Sequence, residues 1–274
     1  MAPMRGDIVE PARAGVILAA LALAGAGGCA TGSQARDTPG GRNVGGAVVA
    51  PPDTPRNPTS TSAGPGATAA GPETLPVRPA TSADDVAYYR ERAAALATGV
   101  PTEVARTDFM RVRRGRLYLY GPSETSTVRA LEVELSKAFG QGDARAILAS
   151  TARILGEDQA DIRAHMLRAV TLRQSGQTAE AEFHRQVAIA LIDSIRGGGD
   201  GRGFDSAWTV FRVKEEYEIL KALGCVVESQ SLRSHGGRTF DVLRARELKG
   251  PVTFEAYFDI TELFAEESRQ LREP

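Results

Sequence analysis

Apolar side chains divide this 274-residue chain into three regimes. A charge-free run at 14–28 comes first, residues 30–80 carry almost no large apolar side chain, and regular periods begin near Ser82. Ser82 predicts a helix N-cap, with Asp84 and Asp85 in a first turn where carboxylates suit the positive end of the helix dipole. That helix runs through Val86-Ala87-Tyr88-Tyr89 towards Leu96, and Gly99-Val100-Pro101 stops it. Residues 107–121 read as mixed, a short helix around Asp108-Phe109-Met110 followed by the alternating Leu117-Tyr118-Leu119-Tyr120. Helical spacing is clearest from 127 to 195, which predicts helices at about 127–140, 143–155, 159–174 and 178–195, separated by Gly142, Gly156 and Gly176.

After Gly197-Gly198-Gly199-Asp200-Gly201 the period changes. Ala207-Trp208-Thr209-Val210-Phe211 predicts a buried strand, and Lys214 to Leu223 a helix stopped by Gly224. Cys225-Val226-Val227 begins a second strand, and Thr239-Phe240-Asp241-Val242-Leu243 a third after the His235-Gly236-Gly237 turn. Residues 252–260 alternate as a half-buried strand, and a last helix follows from Thr261 to about Leu271. The order β-α-β-β-β-α predicts an α+β fold, with helical hairpins at 81–197 followed by a small, mostly antiparallel sheet with helices at 198–274.

The two halves of the helical region align at an offset of 34 residues: Ala130 with Ala164, Gly142 with Gly176, Ile147 with Ala181. Small residues at the crossings and glycine in the turns make it similar to a pair of tetratricopeptide repeats, without the aromatic positions of that repeat. Two copies are fewer than a self-supporting array needs, so the 82–98 helix is expected to cap them. The order Asp161, Ala164-His165, His184-Arg185, Ser194-Ile195, Gly199-Asp200-Gly201, Glu215-Glu216-Tyr217, Gln230-Ser231-Leu232, Phe240-Asp241 and Phe258-Asp259-Ile260 resembles a bacterial family, domain of unknown function 4919. The resemblance covers about 108–263 and implies a domain without implying an activity.

The first 80 residues concern location. The apolar run is shorter than the roughly 20 residues a membrane-spanning helix needs, and suits a signal-peptide core at 1–28. Ala26-Gly27-Gly28-Cys29 resembles a bacterial lipobox, which implies cleavage before Cys29 and lipid attachment to it. Ala30, rather than Asp, implies sorting to the outer membrane, facing the periplasm. Residues 29–80 are rich in Pro, Gly, Ser and Thr and cannot offset chain entropy by burial, so they read as a tether. About 50 flexible residues reach roughly 40 Å. With Cys29 acylated, Cys225 has no intramolecular partner, and stability must come from a packed core. A formal net charge of −1 gives no field that would attract nucleic acid. The expected partners are therefore the membrane, through the lipid, and an envelope protein or peptide.

Candidate chemistry is sparse. His165 lies on the stripe Ile162, His165, Ala169, Leu172, and His184 on Ala181, His184, Ala188, Leu191, Ile195, so both rings face inward. They admit an acid–base or metal site built with Asp200, Glu216 or Asp241, or else a pair of core histidines satisfied by backbone or acidic groups. No close-spaced ligand pair such as HExxH or CxxC favours a metal, and no cofactor is implied. The glycine run lacks the spacing of a phosphate loop and reads as a helix end and turn. Glu215 is explained by its place at a helix N-terminus, whereas Glu216 borders the apolar stripe and can turn inward. Cys225 reads as an inert buried thiol, and no GxSxG or S-x-x-K hydrolase signature is present. The readings that remain are a non-enzymatic binding protein and an envelope hydrolase using the histidines and nearby carboxylates.

Overall fold

A computed structural model describes residues 81–272, all within one compact unit. The leader, Cys29 and the tether lie outside the described residues. Helix α1 (Ser82–Leu96) begins on a capping box one residue earlier than expected: Thr81 N donates to Asp84 Oδ2 at 2.8 Å, and Asp84 N donates back to Thr81 Oγ1 at 3.3 Å. The short α2 (Pro101–Ala105) leads to α3 (Phe109–Tyr120). There the expectation of a short helix followed by an alternating segment is corrected, because one helix runs throughout. Its buried positions are Phe109, Val112, Arg113, Gly115, Arg116 and Leu117. Two of those six are arginine, which hides the helical period. The helices α1 and α3 cross at Gly115, where a Cβ would lie 2.1 Å from the Asp85 carbonyl oxygen.

Four helices follow, α4 (Ser126–Gln141), α5 (Ala144–Glu157), α6 (Ile162–Gln174) and α7 (Thr178–Arg196). Side-chain oxygens of Thr125, Asp143 and Asp161 cap the first three. Gly142 and Gly176, the pair matched at the 34-residue offset, both adopt positive φ, at 66° and 79°. Gly156 instead lies inside α5, and the break it was expected to make falls at 158–161. No helix among the described residues is long and apolar enough to cross a membrane.

The C-terminal part follows the expected order, with β1 (Trp208–Thr209), α8 (Val213–Ala222), β2 (Cys225–His235), β3 (Arg238–Glu247), β4 (Thr253–Asp259) and α9 (Thr261–Gln270). The four strands form one sheet in the order β1-β4-β3-β2. Both β2–β3 and β3–β4 are antiparallel, and only the short β1 pairs in parallel, Trp208 facing Phe258. The protein is thus α+β, helix-rich with a small mixed sheet. The expected strand at 207–211 shrinks to two residues. Val210 still donates to Asp259 O, but Phe211 N turns inward to Glu215 Oε2 at 2.9 Å.

The main core joins Tyr89, Leu96 and Leu117 to Val187 and Leu191 of α7 and to Ile219, Leu243 and Phe258 around the sheet. A second cluster, including Leu131, Leu135, Ile147 and Ile154, fills α4–α6. On the opposite sheet face, Phe240 and Val242 pack with Phe204 and Tyr257. The glycine run lies against Trp208 of the main core for a packing reason. Gly201 has φ +70°, and a Cβ there would lie 2.6 Å from the Trp208 ring, whose Nε1–H donates to Gly199 O at 3.0 Å. The loop wraps an indole rather than serving only as a turn.

Candidate functional site

The five candidate side chains occupy three separate places. Asp200 is exposed in the glycine loop, where its Oδ1 accepts Arg202 N–H at 2.9 Å and the Ser206 hydroxyl at 2.6 Å, a local turn. Its carboxyl is held below the usual range chiefly by the Ser206 hydrogen bond. Glu216 and Asp241 lie together between α8 and β3, and His165 and His184 meet between α6 and α7.

The histidine pair follows from the fold. Asp161 Oδ1 accepts Ala164 N–H at 2.7 Å and fixes the first turn of α6. The Gly176 turn then folds α7 back onto α6. Both predicted stripes are buried, and the rings touch, Nδ1 to Nδ1 at 2.9 Å. His165 Nε2 lies 3.2 Å from Gln159 O, and Arg168 Nε donates to His184 Nε2 at 2.9 Å. All four ring nitrogens are therefore engaged. Burial lowers His165 to about 4, against the hydrogen bond to Gln159 and the nearby Asp161 and Asp158. Burial, then His165 and Arg168, lowers His184 to about 3. Both imidazoles are neutral at pH 7.

A groove of about 610 Å³ opens beside His184, bounded by the end of α1, the start of α2 and the helices α5–α7. Leu96, Pro101, Leu155 and Phe183 contribute apolar wall, while Gln159 and Glu180 stand at the polar end with Arg168 and His184. Arg168 is held there by each of its nitrogens: the remaining two donate to Leu148 O at 2.9 Å and Glu180 Oε1 at 2.6 Å.

Glu216 does turn inward. It is fully buried, and neither of its carboxyl oxygens has a hydrogen-bond partner. Burial, followed by the charges of Asp241 and Glu215, pushes its carboxyl up to about 9, so it is protonated at neutral pH. Asp241 is also raised, by burial against a hydrogen bond from Gln230 Nε2. Gln230 in turn accepts the Tyr217 hydroxyl at 2.9 Å. No group of three or more His, Cys, Asp or Glu among the described residues could hold a metal ion. Cys225 is buried, its thiol 3.8 Å from Leu223 O.

A buried charge network, which no local sequence pattern marks, joins α3, the 158–161 connection and α8. Arg113 clamps Glu215 with two hydrogen bonds, at 3.1 and 2.8 Å, and also donates to Thr209 O at 2.7 Å. Arg212 donates to Asp158 Oδ2 and Ala160 O, both at 2.7 Å, and Arg116 donates to the same Asp158 oxygen at 3.0 Å. Glu215 is thus more than a helix N-terminal acid. Lys214 bridges Asp161, at 2.7 Å, and Glu132. Each of these charges faces an opposite one, which suits a clamp between segments rather than a reacting centre.

The family described as Domain of unknown function (DUF4919) matches residues 120–269, more than half of the chain. The chain belongs to that family. No curated protein and no solved structure matches it. The DUF4919 match contains both histidines, the Glu216–Asp241 pair and Arg212, while Leu96 and Pro101 on the groove and the arginines of α3 come from outside it. The groove is therefore assembled from the DUF4919 region together with the preceding helices.

Proposed function

We propose that this protein is a lipid-anchored protein of the cell envelope whose helical region binds an extended segment of a partner protein or peptide in the groove beside His184. The observation that carries the reading is an open, largely apolar groove whose polar groups are already paired with one another. Such a wall offers shape and apolar area with a few orienting groups, which suits recognition better than chemistry. The tetratricopeptide-like offset adds support, because stacked helical hairpins present concave surfaces to peptides. An envelope hydrolase is the second reading. It is less favoured because a general base needs a lone pair facing a substrate, and every ring nitrogen of the pair is occupied.

A photo-crosslinking residue in place of Ala179, on the groove wall, is expected to give a discrete adduct in intact cells. The same residue in place of Lys249, in the β3–β4 turn, should give none. Ala152→Trp, which fills the groove, should abolish the Ala179 adduct; equal capture from both positions would overturn the reading. Location is tested separately. The lipobox resemblance leads us to expect that wild-type protein partitions with membranes and into detergent and that Cys29→Ser loses most of that partitioning, since acyl chains supply about 0.8 kcal/mol per buried CH₂. A Cys29→Ser variant as membrane-bound as wild type would remove the anchor from the proposal.

A further inference from the structure

The hydrogen bonds around the histidines have a single direction. Arginine can only donate, so His184 Nε2, 2.9 Å from Arg168 Nε, must carry a lone pair. A neutral His184 then bears its proton on Nδ1 and donates it to His165 Nδ1. That leaves the His165 proton on Nε2, facing Gln159 O. These tautomers follow from the hydrogen-bond network. Three of the four members, Gln159, Arg168 and His184, line the groove.

Neither ring can accept another proton without breaking the chain. The vacant position on His165 is Nδ1, where a second N–H would face that of His184. On His184 it is Nε2, where a new N–H would face the Arg168 guanidinium. Relief from neighbouring acids is limited. Asp158 and Asp161, in the α5–α6 connection, are already tied to Arg116, Arg212 and Lys214. Glu180 on α7, 3.8 Å from His184 Nε2, is tied to Arg168. We propose that protonation of this pair is a gate on the groove, breaking the Arg168–His184–His165–Gln159 chain and releasing the polar wall formed by Arg168 and Glu180. The inference rests on the groove being a binding site, and adds that its occupant is held at neutral pH and released in acid.

The test uses the full chain and no ligand, so it stands or falls separately from the crosslinking at Ala179. Nitrogen-15 NMR of the histidine rings at neutral pH is expected to show protonated Nδ1 on His184 and protonated Nε2 on His165. The opposite tautomers, or a charged ring, would overturn the proposal. Amide exchange, corrected for intrinsic chemistry, is expected to rise at least tenfold in segment 178–186 between pH 7 and about pH 4. Segment 126–141 should change far less. Gln can accept and donate in the same places without titrating, so His165→Gln/His184→Gln should remove the acid response. An equal response in that variant would place the switch elsewhere; if the variant does not fold, the tautomers and the wild-type contrast between segments still decide.

Discussion

Arg212→Ala is expected to destabilise the fold by about 3–5 kcal/mol, the range for removing one partner of a buried ion pair. Arg212 is 2% exposed. It ties the 158–161 connection to the start of α8, through Asp158 and Ala160 O on one side and Glu215 Oε1, 3.6 Å away, on the other. Burial alone would raise the Asp158 carboxyl, but Arg212 and then Arg116 overcome it and hold it at about 2. Without Arg212, Asp158 keeps one cation, and Ala160 O loses its guanidinium donor. Because the native carboxyl is depressed, its contribution is present above the unfolded value near 4 and is lost as the pH falls through about 2. Urea unfolding at pH 7 measures the effect as a shift in midpoint at unchanged slope. The Arg212→Ala/Asp158→Ala pair should cost less than the two single changes added together, since the second deletion removes the charge the first leaves stranded. A loss below about 1 kcal/mol for Arg212→Ala would show that the clamp is not stabilising.

This network explains where the sequence was legible and where it was not. The helices from 126 to 196 could be read because their buried stripes are mostly apolar and Gly142 and Gly176 mark their ends. The succession of strands and helices after residue 207 and the inward histidines were legible for the same reason, each being a local period. In α3 two of the six buried positions are arginine, and a buried Arg113 is indistinguishable in sequence from a solvated one. Its partner Glu215 lies 102 residues away, and the partner of Arg116 lies 42 residues away. No local pattern encodes such pairings. The Gly201 turn was legible as a turn, but its cause, a close approach to Trp208, depends on the sheet placing that indole beneath it. That both rings face inward on neighbouring helices was readable. The direction of the hydrogen bonds was not, because it is fixed by Arg168, an ordinary helix residue in the sequence.

Glu216→Gln is expected to stabilise the protein, and by more as the pH rises. In the folded chain the Glu216 carboxyl sits at about 9, against an ordinary value of 4.5, because burial and then the Asp241 and Glu215 charges oppose its ionisation. A folded carboxyl that holds its proton more tightly than the unfolded one makes stability fall with pH. The contribution is complete below about 4.5 and is lost progressively up to about 9. At about 1.4 kcal/mol per pH unit the loss reaches roughly 3 kcal/mol by pH 7. Glutamine keeps the shape and stays neutral in both states, so it removes this slope. The histidine pair tilts the opposite way: its lowered values make stability fall as the pH drops from 6.5 towards 4 and 3. That slope is common to wild type and variant and cancels in their difference. Urea unfolding near pH 5, 7 and 9 should therefore show a small difference at the lowest pH, about 2–3 kcal/mol at pH 7 and more at pH 9. A difference that stays constant across the range would mean that Glu216 is charged in the fold. An unpartnered anion would then sit against Asp241 between α8 and β3, the arrangement the physics of burial most strongly disfavours.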